Sequence, residues 1–132
     1  GGSVMSALSP ILRQGTDGML LFWCPGCDGA HGIQHGAGPG PRWGWNGDVN
    51  KPTFTPSINV VYEHLSEAAR ARNDAFKTEH GRYMTHAELP YDQREVCHSF
   101  VKDGRIQFLG DCTHALAGQT VDLPAWDDRP AP

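Results

Sequence analysis

The chain lacks any apolar run near the roughly 18 residues that a membrane span requires, and its opening GGSVMSALSP lacks the charged and apolar regions of a secretory signal. No membrane association is therefore expected, and the cytoplasm is the expected compartment. Surplus charge is also scarce: the formal net charge is −4 over 132 residues and the pI is near 5.9. That leaves no basic field to attract phosphate backbones, which disfavours a general nucleic-acid binder. Long helical stretches and internal repeats are missing as well. With 16 Gly and 10 Pro, the sequence fits a loop-rich globular protein with short regular elements.

What is present reads as one domain, since 132 residues suffice for one core and fall short of two ordinary ones. Gly1–Val4 read as a tag remnant ahead of Met5, residues 5–126 as the domain and 127–132 as a flexible tail within AWDDRPAP. GMLLFW (18–23) reads as a buried strand running into a Cys-Pro-Gly turn. In SINVVYEHL, Ile58, Val60 and Tyr62 alternate onto one face of a second strand. Ser66 caps a helix through EAARARNDAFKTEH that Gly81 stops, and Thr85 with Glu88 forms a capping box for one further turn. This stretch, about 64–92, is a helical insertion between β parts. Asp103-Gly104 between HSFVK and RIQFL predicts a tight hairpin, because both residues accept positive φ. TVDLP adds a short strand. The expected core is Leu20, Phe22, Ile58, Val60, Phe100, Val101, Ile106, Phe108 and Leu109.

The chemistry concentrates in four cysteines. FWCPGC presents two thiols on one turn, and in a reducing compartment such a pair points to metal rather than to a structural disulfide. DGAHG after Cys27 starts no strong helix, which argues against a redox motif. A hairpin at Asp103-Gly104 brings Cys97 opposite about Gly110, so that Cys97 and Cys112 converge at its open end. The expected site is one structural Zn²⁺ held by Cys24, Cys27, Cys97 and Cys112, with His31 or His114 in place of one cysteine as the rival arrangement. Neighbouring strand side chains point to opposite faces, so Cys97 and His98 cannot both enter it.

His31, His98, Asp111 and His114 are the catalytic candidates, as an acid–base cluster beside the metal or as partners of its ligands. No nucleophile with a matched base stands out. In RWGWNGD, Trp43 and Trp45 face one side of an extended segment near Asn46 and Asp48, a candidate ligand- or partner-binding platform. Thr53, Thr55 and Ser57 of PTFTPS offer hydroxyls nearby.

Taken together, FWCPGC, WGWNGD, PTFTPSI and CHSFVKDGRIQFLGDCTHALAGQTVDLP resemble an uncharacterised family of small bacteriophage and prophage proteins sometimes labelled ammonia monooxygenase. The resemblance puts Cys24, Cys27, His31, Trp45, Asn46, Asp48, Cys97, His98, Cys112 and His114 on motif positions. It implies a small accessory protein in the host bacterial cytoplasm whose partner is a host or phage protein. A membrane copper oxygenase is rejected, because the chain has no spans and thiolate clusters suit other chemistry. The expected fold is α+β, mainly β, with short antiparallel sheets pinned by one zinc in a zinc-ribbon or tent-like arrangement. The expected function is a zinc-stabilised binding module, and the alternative is a zinc-dependent hydrolase using the His/Asp cluster.

Overall fold

The computed structural model describes residues 5–128. The remnant expected at Gly1–Val4 and the end of the expected tail, residues 129–132, lie outside the described residues. Over the described residues the protein is mainly β, with two antiparallel sheets and one α-helix. The first sheet holds β1 (Ser6–Ala7), β2 (Leu12–Gln14), β3 (Leu20–Cys24) and β4 (Gly29–Ile33) in chain order. In β3 the alternation of LLFWC turns Leu20, Phe22 and Cys24 inward, and the Cys-Pro-Gly-Cys turn folds β4 back so that Phe22 faces His31 and Cys24 faces Gly29. The two thiols of the turn and the imidazole of β4 therefore share one end of one hairpin.

The second sheet is ordered β5 (Gly44–Trp45), β6 (Phe54–His64), β7 (Gln93–Lys102), β8 (Arg105–Phe108) and β9 (Thr120–Asp122). Asp103 (φ 52°) and Gly104 (φ 77°) make the expected primed turn, with Lys102 opposite Arg105 and Ser99 opposite Phe108. The turn is also tied down, because Gly104 N–H donates to Pro52 O and Asp103 N–H donates to Thr53 Oγ1. Phe22 of the first sheet stacks on Phe54 of the second at 6.0 Å, and Leu12, Leu20, Ile33, Val101, Ile106 and Phe108 are buried with them.

Two compact units are distinguished. One comprises the chain up to Asn59 and resumes at Cys97. The other, Val60–Val96, carries the far ends of β6 and β7 and the helix α1 (Glu67–His80). Within it, Ser66 Oγ accepts from Ala69 N–H at 3.1 Å, and Gly81, at φ 75°, closes the helix, as its sequence predicts. Thr85 donates through its N–H and hydroxyl to Glu88, which fixes a turn rather than further helix. No helix among the described residues is long and apolar enough to cross a membrane.

Three expectations are corrected. Strands β1 and β2 precede Gly18, where none is expected; two- and three-residue strands carry no periodicity, and only fully buried Leu12 anchors them. The tail expected from residue 127 does not begin as irregular chain, because Trp126 is buried edge-to-face against Trp23 at 5.6 Å under the Arg13 guanidinium, and Trp126–Asp128 form a 3-10 turn. Phe100 does not join the core: Cys97, Ser99 and Val101 occupy the inward positions of β7, so Phe100 between them faces out and is 44% exposed. Val60 and Leu109 are only partly buried.

The Phe22–Phe54 contact carries a prediction. Phe22→Ala should cost about 3–5 kcal/mol of stability in urea unfolding, the range for a buried ring. A loss below about 1 kcal/mol would show that this ring does not tie the sheets together.

Candidate functional site

Two clusters lie on opposite faces of one strand. On the buried face of β7, Cys97 meets the hairpin end of the first sheet, and the ligand atoms of Cys24, Cys27, His31 and Cys97 all lie within 4.8 Å of one another. These four residues are positioned to bind a metal ion. Cys24 Sγ and Cys97 Sγ are 3.8 Å apart, and Cys27 N–H donates to Cys24 Sγ at 3.4 Å. His31 is 4% exposed, and its Nε2 is buried with no hydrogen-bond partner. An unpaired ring nitrogen among three sulfurs costs free energy unless something positive binds it.

The electrostatics agree. A hydrogen bond from Cys97 holds the Cys24 thiol far below its ordinary range, at about 4, and the same contact pushes Cys97 up. Burial pushes Cys27 up to about 11, helped by the neighbouring Cys24 charge. The pocket thus tolerates one thiolate readily and resists a second, which a bound cation would reverse.

Cys112 is absent from this group of four; His31 holds the fourth place, the rival arrangement of the sequence reading. Cys112 instead forms a second set with Cys97 and His114. That set offers only three ligands, and one of them, Cys112, is engaged elsewhere. Cys112 Sγ accepts from His98 N–H at 3.2 Å and donates to His98 O at 3.1 Å. His114 Nδ1 accepts from Leu116 N–H and its Nε2 is buried without a hydrogen-bond partner, while its ring lies edge-on to Phe108 at 4.5 Å and close against the Cys-Pro-Gly-Cys turn. A Cβ at Gly26 would meet that ring at 2.3 Å, so only glycine fits there.

On the open face of β7, His98 stands between two partners. Its Nε2 is 3.0 Å from Ser57 Oγ on β6, and its Nδ1 is 3.2 Å from Asp111 Oδ2 just past β8. With the hydroxyl donating to Nε2 and Nδ1–H donating to the carboxylate, this is the serine–histidine–aspartate arrangement of nucleophile, base and orienting acid. The His98 side chain is 26% exposed, accessible to a substrate, and Asp111 is 58% exposed.

Residues 4–109 match the family model described as bacterial ubiquitination-like system serine protease (BubE). The chain belongs to this family. The matched span contains Ser57, His98 and the four-residue metal group, and Asp111 follows two positions after it. No curated protein and no solved structure matches the chain.

Of the four sequence candidates for catalysis, His98 and Asp111 come together, His31 belongs to the metal group, and His114 packs on the metal-binding turn. Ser57 is the residue that sequence reasoning passed over. PTFTPS offers three hydroxyls at alternate positions with no local signature to choose among them, and only the pairing of β6 with β7 does so. The WNGD segment serves that choice. Trp43 Nε1–H donates to Ser57 O at 3.2 Å, and Trp45 packs edge-on against His35 at 5.2 Å. Asn46 Oδ1 accepts from Asp48 N–H and Thr53 N–H, and Asp48 Oδ1 accepts from Asn50 and Lys51 N–H. Those side chains shape the loop that delivers β6.

The ligand set has a direct check in elemental analysis of purified variants. His31→Ala should lose its stoichiometric metal and Cys112→Ser should keep it. Metal retained by His31→Ala and lost from Cys112→Ser would restore the four-cysteine site.

Proposed function

We propose that the protein is a serine protease of a bacterial ubiquitination-like system, hydrolysing a peptide or isopeptide bond of a modifier protein through Ser57. The observation that carries this reading is the continuous contact Ser57 Oγ, His98 Nε2, His98 Nδ1, Asp111 Oδ2, at 3.0 and 3.2 Å. The family description supports the substrate class. His98 takes the Ser57 proton as the hydroxyl oxygen attacks the carbonyl, then returns it to the departing amine. Asp111 keeps Nδ1 protonated and steadies the imidazolium. The acyl-enzyme on Ser57 is then hydrolysed by water that His98 deprotonates.

The metal group has a structural part in this reading, and zinc is the ion that fits best. A tetrahedron with metal–sulfur bonds of about 2.3 Å has an edge of about 3.8 Å, and the Cys24–Cys97 separation is 3.8 Å. Three thiols and an imidazole fill four positions, which leaves none for substrate or water. This favours the serine mechanism over a zinc-dependent hydrolase built on His31, His98, Asp111 and His114. The catalytic geometry likewise favours hydrolysis over the binding-module role, for which Trp43, Asn46 and Asp48 have internal bonds instead.

A fluorophosphonate probe tests the nucleophile. Intact-mass analysis should find one adduct on Ser57 in the wild type and none in Ser57→Ala or His98→Gln. Asp111→Asn should slow labelling by about 10²- to 10⁴-fold, as loss of the orienting carboxylate does in such triads. Undiminished labelling of Ser57→Ala would contradict the assignment.

A further inference from the structure

The open face of the second sheet carries more than the triad. A groove of about 460 Å³, lined by Thr53, Thr55, Phe100, Lys102, Gln107 and Thr120 among others, runs across β6, β7, β8 and β9. Its volume falls within the range of ligand sites. The alternation that points Ser57 and His98 out of the sheet also points out Thr55 and Phe100, two residues along each strand. The groove therefore begins about 7 Å from the reacting atoms, the rise of two residues of extended chain.

Its lining is a mixture suited to an extended peptide. The Phe100 ring, 44% exposed, supplies an apolar wall that the core does not use. Around it stand the hydroxyls of Thr55 and Thr120 and the amide of Gln107, which can pair with peptide groups. One end is closed by the Asp103-Gly104 turn, which Thr53 holds through the Asp103 N–H bond at 2.9 Å. At the rim, Arg105 pairs with Asp122 at 3.0 Å.

We propose that this groove is the subsite for the acyl side of the substrate, and that Phe100 selects a bulky apolar side chain on the third residue before the scissile bond, two residues before the one whose carbonyl is attacked. The proposal rests on Ser57 being the nucleophile. Continuity with Ser57 and His98 identifies the occupant, because a segment whose carbonyl lies at Ser57 Oγ and whose chain stays extended along β6 and β7 reaches Phe100 at that distance. The acyl portion stays on the enzyme through both half-reactions, so contacts on this side act in each. Phe100 is thus a specificity-determining residue rather than a catalytic one.

Diphenyl phosphonate tripeptides Ac-X-Ala-Ala, with X as Phe, Leu or Gly two residues from the reacting phosphorus, test this on the full chain. The rate of Ser57 phosphonylation is read by intact mass. The wild type should react with the Phe and Leu probes at least about tenfold faster than with the Gly probe, the discrimination a hydrophobic pocket provides. Phe100→Ala should bring the three rates within about twofold, Phe100→Leu should keep most of the preference, and a plain fluorophosphonate should label all three proteins equally. Equal rates in the wild type, or an undiminished preference in Phe100→Ala, would overturn the subsite while leaving the triad standing. Failure of every probe, the plain fluorophosphonate included, to label Ser57 would instead overturn the triad reading, and the subsite with it.

Discussion

The alternation of side chains along β7 is the constraint on which the rest depends. Cys97 turns inward and His98 outward because consecutive residues of a strand must face opposite ways. Asp111 and Cys112, where the chain returns beyond β8, repeat the division: the carboxylate reaches the outer face of His98 and the sulfur grips its backbone. One short pair of strands thus carries the candidate metal group on one side and the Ser57–His98–Asp111 arrangement on the other.

This arrangement explains why a domain of modest core can hold a catalytic geometry. The buried face of a small sheet provides limited apolar area, and a metal held by Cys24, Cys27, His31 and Cys97 would join β3, β4 and β7 at one point. The base of the triad sits one residue from a metal-group cysteine, and its backbone is held from both directions by Cys112. Ser57 is fixed separately, through Trp43 and the WNGD loop. In the proposed mechanism the metal group would position the base, and the tryptophan loop the nucleophile.

Much of this was legible in the sequence. The Asp103-Gly104 hairpin, the Ser66-capped helix with its Gly81 stop, and the convergence of Cys97 on the first cysteine pair all follow from local chemistry. The opposition of Cys97 and His98 was legible too, from strand geometry alone. Ser57 was not, since a serine becomes a nucleophile through what lies across the sheet, and the whole Val60–Val96 unit separates Ser57 from His98 along the chain. The place of His31 in the metal group was open for a related reason. Its position opposite Phe22 depends on the length of the turn between Cys24 and Gly29, which brings an imidazole of β4 to the cluster. The outward position of Phe100 could have been read from Val101, because two neighbours on a strand cannot both enter one core.

The central claim, that β7 separates a metal site from a catalytic site across its two faces, is tested most directly by a crystal structure recorded with anomalous scattering at the zinc edge. The account predicts a single peak bounded by Cys24, Cys27, His31 and Cys97, with the His98 ring on the opposite face of the strand between Ser57 and Asp111. A peak liganded by His98 or Asp111, or a β7 with Cys97 and His98 on the same face, would contradict it.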